Sequence, residues 1–285
     1  MADSNSLHQL VFTSFLDEVN ALKPGNVSQY SDGHGMKVAD FKRSAELVTP
    51  ILCNPTLSVG QCILDCVQMI NTEVGCNTNL GMLLLFAPII KAFEINTVES
   101  SILRDNLRKV LQTLDNSEAV LICNAIKLAN PGGLGNSERH DVNHPISADV
   151  LEIMAESQDK DSIARQYITN FKDIFSVGLN TIKHFNRRWN SVEWAAVACY
   201  LTFLAELPDS HIQRKYGLEV AENIRKKACF VAEDFKTINI PEDAKPALLE
   251  FDMELKNANI NPGTSADLTA ASLLVYRLTV KNNNN

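Results

Sequence analysis

Apolar residues recur at three- and four-residue steps along nearly the whole chain, and this restricts the fold more than any other feature. Leu7, Leu10, Val11, Phe15 and Val19 make one such stripe, with Ser14 among them. Phe41, Ala45 and Val48 make the next, within 38–52, and Ile63, Val67 and Ile70 another, within 60–72. The same spacing runs through 98–114, 118–129, 163–185, 192–207, 217–235, 244–256 and 266–278. It is the period of one helix face. No run alternates apolar and polar residues between turns as a half-buried strand does. The expectation is an all-α fold, a single multi-helix domain of about ten or more helices over 1–281. The tail 282–285, four asparagines, is expected to fray.

Within this frame the segment 163–185, broken only by Gly178, predicts one long amphipathic helix. Asp115-Asn116-Ser117-Glu118 predicts a capping box ahead of 118–129. The segment 192–207 is apolar all round and predicts a central helix. Leu80 to Ile90, LGMLLLFAPII, is the longest apolar stretch. It falls short of the roughly 18 residues that cross a bilayer, so it predicts a buried helix and no membrane partner.

With 285 residues, a sizeable core needs no staples. The net charge of -8 argues against a nucleic-acid face, although a few local cations can still hold a phosphate chain. The cysteines are seven in number with no Cys-x-x-Cys pair. They read as buried free thiols in a reducing, cytoplasmic compartment. The start, MADSNSLHQLVF, lacks the basic and apolar regions of a signal peptide.

Function is therefore sought in the loops. Five are rich in polar residues and glycine: 23–37, 73–81, 130–145, 207–211 and 259–267. The first contains Lys23-Pro24-Gly25-Asn26-Val27 and then Asp32-Gly33-His34-Gly35-Met36. Pro24 turns Lys23 out of helical geometry and Gly25 permits a turn, which can aim a cation at an anion. In the second, Asn77 or Thr78 can cap a helix whose free amides suit phosphate. The third packs Gly132, Gly133, Gly135, Arg139, His140, Asp141 and His144 together, a set suited to magnesium or phosphate. The fourth leads to Arg214 and Lys215, a planar fork and a point charge for phosphate. In the fifth, Thr264 and Asp267 have cap spacing. The five loops are expected to converge on one pocket, because no single loop carries enough ligands for phosphate and a metal together.

Taken in order, these motifs resemble the triphosphoribosyl-dephospho-coenzyme A synthases, ATP:dephospho-CoA triphosphoribosyl transferases. The matching pieces are Lys23-Pro24-Gly25-Asn26-Val27, Asp32-Gly33-His34-Gly35-Met36 with Phe41 and Ser44-Ala45, Asn77-Thr78-Asn79-Leu80-Gly81, and Ser265-Ala266-Asp267-Leu268. The segments Gly132-Gly133-Leu134-Gly135, His140-Asp141-Val142 and Asp209-Ser210-His211 look like a branch common in archaea and environmental bacteria. The family's Thr-Asn-Thr-His-Lys-Gly stands here as Cys76-Asn77-Thr78-Asn79-Leu80-Gly81, without the histidine and lysine, and an aspartate expected before Met36 is Gly35.

The resemblance implies a helical transferase. The 2′-hydroxyl of 3′-dephospho-CoA, or of a related acceptor, attacks the ribose C1′ of ATP, and adenine leaves. It also implies Mg²⁺ beside the triphosphate. The candidate catalytic groups are Asp32, His34 and Asp267. The candidate metal ligands are Asp32, Asp141 and Asp267. The candidate nucleotide contacts are Lys23, Gly25, Asn77, Thr78, Asn79, Arg139, Arg214 and Lys215. Two other classes stay open from the sequence: a magnesium-dependent hydrolase or glycosidase of a nucleotide or ADP-ribose-like substrate, and a non-catalytic nucleotide-binding protein.

Overall fold

The computed structural model describes residues 4–76, 78–95, 99–130 and 147–280. Among them are fourteen α-helices and no sheet. In chain order they are α1 (Ser4–Asn20), α2 (Val38–Leu52), α3 (Val59–Glu73), α4 (Leu80–Glu94), α5 (Ser100–Gln112), α6 (Asn116–Ala129) and α7 (Val150–Ser157), followed by α8 (Ser162–Ile168), α9 (Leu179–Trp189), α10 (Val192–Glu206), α11 (Ser210–Tyr216), α12 (Leu218–Thr237), α13 (Lys245–Asn257) and α14 (Gly263–Val280). The all-α expectation holds.

Three helices form the middle. α10 is buried without interruption from Trp194 to Ala205, as its all-round apolarity requires. α4 is buried over most of its length. α14 packs against α1, α4 and α10, and it too is buried on nearly every side. Phe15 of α1 meets Phe86 of α4 with ring centroids 4.6 Å apart. Each fully buried side chain of this size contributes about 1.5–3 kcal/mol.

The long helix expected over 163–185 is broken. α8 ends at Ile168, and Asn170 and Phe171 take left-handed backbone at φ 51° and 54°. The break has tertiary partners: Arg104 Nε donates to the Asn170 carbonyl at 3.0 Å, and Asn170 Nδ2 donates to that of Arg104 at 3.1 Å. A π-helical turn, Ile174–Gly178, then leads into α9. Gly178 is required there, because a Cβ would overlap Ser272 Oγ of α14. The box expected at Asp115 is half formed. Asp115 accepts from Ser117 and Glu118, but the Glu118 carboxylate turns away to the Gly60 amide at 2.5 Å and joins α6 to α3.

Candidate active site at the start of helix α14

Four of the five polar loops meet around the N-terminus of α14. The fifth, 130–145, falls almost wholly outside the described residues, and with it Arg139 and Asp141; Asn77 also lies outside them.

The loop 23–37 is held from several directions. Residues 21–28 are buried throughout. Tyr200 of α10 donates its hydroxyl to the Pro24 carbonyl at 2.6 Å. The Gly25 amide donates to Asp252 of α13 at 2.8 Å. Gly25 needs φ +83°, and a Cβ there would press within 2.9 Å of Leu255 and Pro262. Lys256 donates to the Ser31 carbonyl at 3.1 Å and pairs with Asp252 at 3.0 Å. Asn26 donates to Asn261 at 2.7 Å. Val19, Val27 and Phe41 form a small apolar cluster beneath the loop.

Lys23 is wholly buried and does not reach out to an anion. Its ammonium forms an ion pair with Glu18 of α1 and donates to the Val27 carbonyl at 2.8 Å. Burial pushes the Lys23 pKa down and the Glu18 pKa up, while their attraction opposes both shifts. Gly25 gives its amide to Asp252, so it too serves the loop's own shape. Asp32 is exposed, and its Oδ1 accepts the amide of Val38, the first residue of α2, at 3.0 Å. His34, at φ 56°, places Nε2 2.8 Å from the Gly25 carbonyl and Nδ1 3.3 Å from Asn259 Oδ1. Both ring nitrogens thus clasp the loop.

The loop before α11 joins the start of α14 through Asp209. One oxygen of this carboxylate caps α11 through His211 and Ile212, at 2.9 and 3.2 Å. The other accepts the Ser265 amide and hydroxyl at 2.7 and 2.8 Å. α14 starts at Gly263, earlier than its apolar pattern suggests. Thr264 therefore lies inside the first turn, where its hydroxyl meets Ser210 at 2.9 Å, and Asp267 is no part of a cap. His211 packs so tightly on Gly263 that a Cβ would sit 2.5 Å from Nδ1. Burial holds the His211 pKa down, helped by Arg214, Lys215 and His34 and opposed by Asp209. Arg214 pairs with Asp161, the cap of α8, at 2.8 Å. Lys215 is exposed, its ammonium 5.2 Å from the centre of the Tyr216 ring.

Asp267 is at the centre. A Cβ on Gly81, in the first turn of α4, would overlap its Oδ2 and lie 2.5 Å from its Cγ. The carboxylate therefore rests on bare backbone that glycine alone leaves open. Among the described residues it accepts no hydrogen bond. Burial lifts its pKa well above the usual carboxylate range. The charges of Glu18, Asp209 and Asp161 push the same way, and Arg214 pulls against them.

Buried polar atoms are nearly always hydrogen-bonded. Five side-chain atoms among the described residues are not: Asn26 Oδ1, Asn79 Oδ1, Asn170 Oδ1, Trp189 Nε1 and Arg214 Nε. Three of them, on Asn26, Asn79 and Arg214, belong to these converging segments or follow directly from them. Thr78 and Asn79 both donate to Ser44 of α2 at 3.0 Å, and neither side chain caps α4.

The sequence pattern did not single out Glu18 or Asp161, and it carried Ser44 only as part of a family motif with no role. The available signal for Glu18 was an acid in the last turn of the helix, five residues before Lys23 of the Lys-Pro-Gly stop. A separate cleft lined by Pro50, Asn54, Asp65 and Glu73 has no cationic side chain for a triphosphate. No helix of the described residues is long and apolar enough to cross a membrane, and all seven cysteines are free thiols.

Comparison with known proteins bears on the family and the fold. The chain is similar in fold to the crystal structure of a candidate triphosphoribosyl-dephospho-CoA synthase from Archaeoglobus fulgidus. The TM-score is 0.64 at 24% identity, over 82% of this chain and 96% of that one. No curated protein matches the chain. The CitG family, described as ATP:dephospho-CoA triphosphoribosyl transferase, matches over residues 4–285. Neither the hydrolase class nor the non-catalytic class draws support from these matches. By this full-length match the chain belongs to the ATP:dephospho-CoA triphosphoribosyl transferase family.

Proposed function

We propose that the chain moves the triphosphoribosyl group of ATP to the 2′-hydroxyl of 3′-dephospho-CoA, or a closely related acceptor, with Asp267 as the central catalytic group. The observation that carries this reading is a carboxylate without a hydrogen-bond partner among the described residues, kept clear by Gly81 and acted on by the charge of Arg214. In the reaction the acceptor oxygen bonds to C1′ as the C1′–N9 bond breaks. The hydroxyl proton passes to the base, and adenine leaves with the bonding pair and gains a proton. A carboxylate of raised pKa suits the first proton transfer. While it is ionised, before it takes that proton, its negative charge also steadies the cationic sugar, as in glycoside hydrolysis.

Arg214, whose Nε has no partner among the described residues, serves as a triphosphate contact. Thr78 and Asn79 contribute from the start of α4. Lys23, Gly25 and His34 act by shaping the loop, and Lys215 contributes long-range charge. Asn77 and Arg139 are retained as nucleotide contacts from the resemblance.

Magnesium fits the donor chemistry. Glu18, Asp161, Asp209 and Asp267 gather hard carboxylate oxygens in the region, and of these Asp267 has no cation paired to it among the described residues. No preformed cluster of three ligands exists among the described residues. Mg²⁺ does not need one, since it commonly binds through one or two carboxylates plus waters and phosphates. Asp267, with Asp32 and Asp141, would hold it, and it would supply positive charge to the triphosphate. The free thiols suit a reducing, cytoplasmic setting.

The test is mass spectrometry after incubation with ATP, Mg²⁺ and dephospho-CoA. Adenine together with a triphosphoribosylated acceptor is expected. Adenine or phosphate released equally without the acceptor would overturn the proposal in favour of hydrolysis.

A further inference from the structure

Asn79 is 1% exposed and occupies the cap position of α4. An asparagine there ordinarily turns its oxygen onto the amides of its own helix. This one does not. Its Nδ2 donates to Ser44 Oγ at 3.0 Å, and Thr78 Oγ1 donates to the same oxygen at the same distance. Ser44 is itself buried, so the amide is fixed from one edge. The other edge, Oδ1, has no partner. An empty buried acceptor destabilises a fold, and it lies two residues before the glycine that accommodates Asp267.

The chemistry of the empty edge selects its occupant. A carbonyl oxygen needs an N–H or O–H donor, so an unprotonated phosphate oxygen cannot satisfy it. On an adenine nucleotide the neutral donors are the exocyclic amine and the ribose hydroxyls. We infer that Asn79 is a specificity-determining residue whose Oδ1 accepts a hydrogen bond from the adenosine half of ATP. The inference rests on the reading above only in taking ATP as the nucleotide bound at this site.

The test measures binding by calorimetry, with Mg²⁺ but without acceptor, so turnover is not required. ATP is compared with inosine triphosphate, which lacks the amine, and with the 2′- and 3′-deoxy analogues of ATP. The full chain is expected to bind one of these about 10–100-fold more weakly than ATP, the factor for one lost buried hydrogen bond. Inosine triphosphate as the weak ligand identifies the amine, and a deoxy analogue identifies the hydroxyl. Asn79→Ala is expected to weaken ATP by the same factor and leave that analogue unchanged, so the discrimination collapses. Should Asn79→Ala fail to fold, Asn79→Ser, a good cap too short to reach the ligand, takes its place. Discrimination kept at the wild-type ratio by these variants overturns the inference, as does a wild-type chain that binds ATP no better than all three analogues. A chain that shows the expected binding pattern but forms no product keeps the inference and loses the transferase reading.

Discussion

Gly81→Ala is the most direct perturbation of the proposed centre. Two effects on stability oppose each other. Alanine is favoured over glycine within a helix by about 1 kcal/mol, and position 81 lies in the first turn of α4. The new Cβ, however, would be 2.5 Å from Asp267 Cγ and 2.8 Å from Ile163 Cδ1. Carbon atoms settle about 3.5–4.0 Å apart, so the carboxylate must move by about 1 Å or more. Overpacking of this kind costs about 1–3 kcal/mol. The net change is a loss of about 0–2 kcal/mol, or a few degrees in Tm for a domain of this size. Activity should suffer far more, because a displacement of about 1 Å at reacting groups costs on the order of a hundredfold. Thermal unfolding followed by circular dichroism measures the first quantity, and adenine release from ATP and dephospho-CoA measures the second. A folded Gly81→Ala protein with wild-type turnover would refute the argument that Asp267 must lie against this backbone.

Asp267→Asn should abolish most turnover, at least about a hundredfold, and raise Tm at neutral pH. The native Asp267 carboxyl has a raised pKa, so the folded state holds a proton that the unfolded state releases above its ordinary value of 3.8. The wild type therefore loses stability as pH rises through that window. The variant's advantage should be absent below about pH 3.8 and grow above it; a Tm difference independent of pH would contradict this. Lys23→Met alone should cost about 3–5 kcal/mol by stranding the buried Glu18 charge, and Glu18→Leu combined with Lys23→Met should recover much of it; denaturant unfolding reads both. Asp32→Asn keeps an oxygen for the Val38 amide, so the fold should persist while turnover falls at least about a hundredfold; full activity would remove Asp32 from the chemistry. Chelating Mg²⁺ should stop adenine release without altering the far-ultraviolet spectrum, and continued release would remove the metal.

Much of the architecture can be read from one residue to the next. The apolar period of three and four residues is a local property of a helix, and it places α1, α2, α3, α10, α12 and α13 closely. Asp115 declares its helix start by its place before the pattern. The loops could be found the same way, as the stretches where the period stops. The break after Ile168 could not. Asn170 and Phe171 adopt left-handed backbone because Arg104, from another helix, holds the turn, and nothing within 163–185 records that partner.

The site divides along the same line. Asp267 was legible as a carboxylate near a helix start, and the family motifs indicated that Lys23, Asn79 and Asp267 belong together, while Arg214 stood out by its charge alone. Which partner each side chain takes was decided only by folding. Gly25 finds its acceptor 227 positions away in Asp252, and Asp209 reaches 56 positions to Ser265. Lys23 looks in sequence like a cation offered to an anion, yet packing closes over it and leaves Glu18 as its counter-charge. Periodicity follows from the geometry of a single helix, whereas a partner, a clash or a desolvated charge depends on how several helices cross. The sequence therefore determined which segments are helical and where the polar loops fall, and only the tertiary structure decided that Gly81 yields its side-chain space to Asp267.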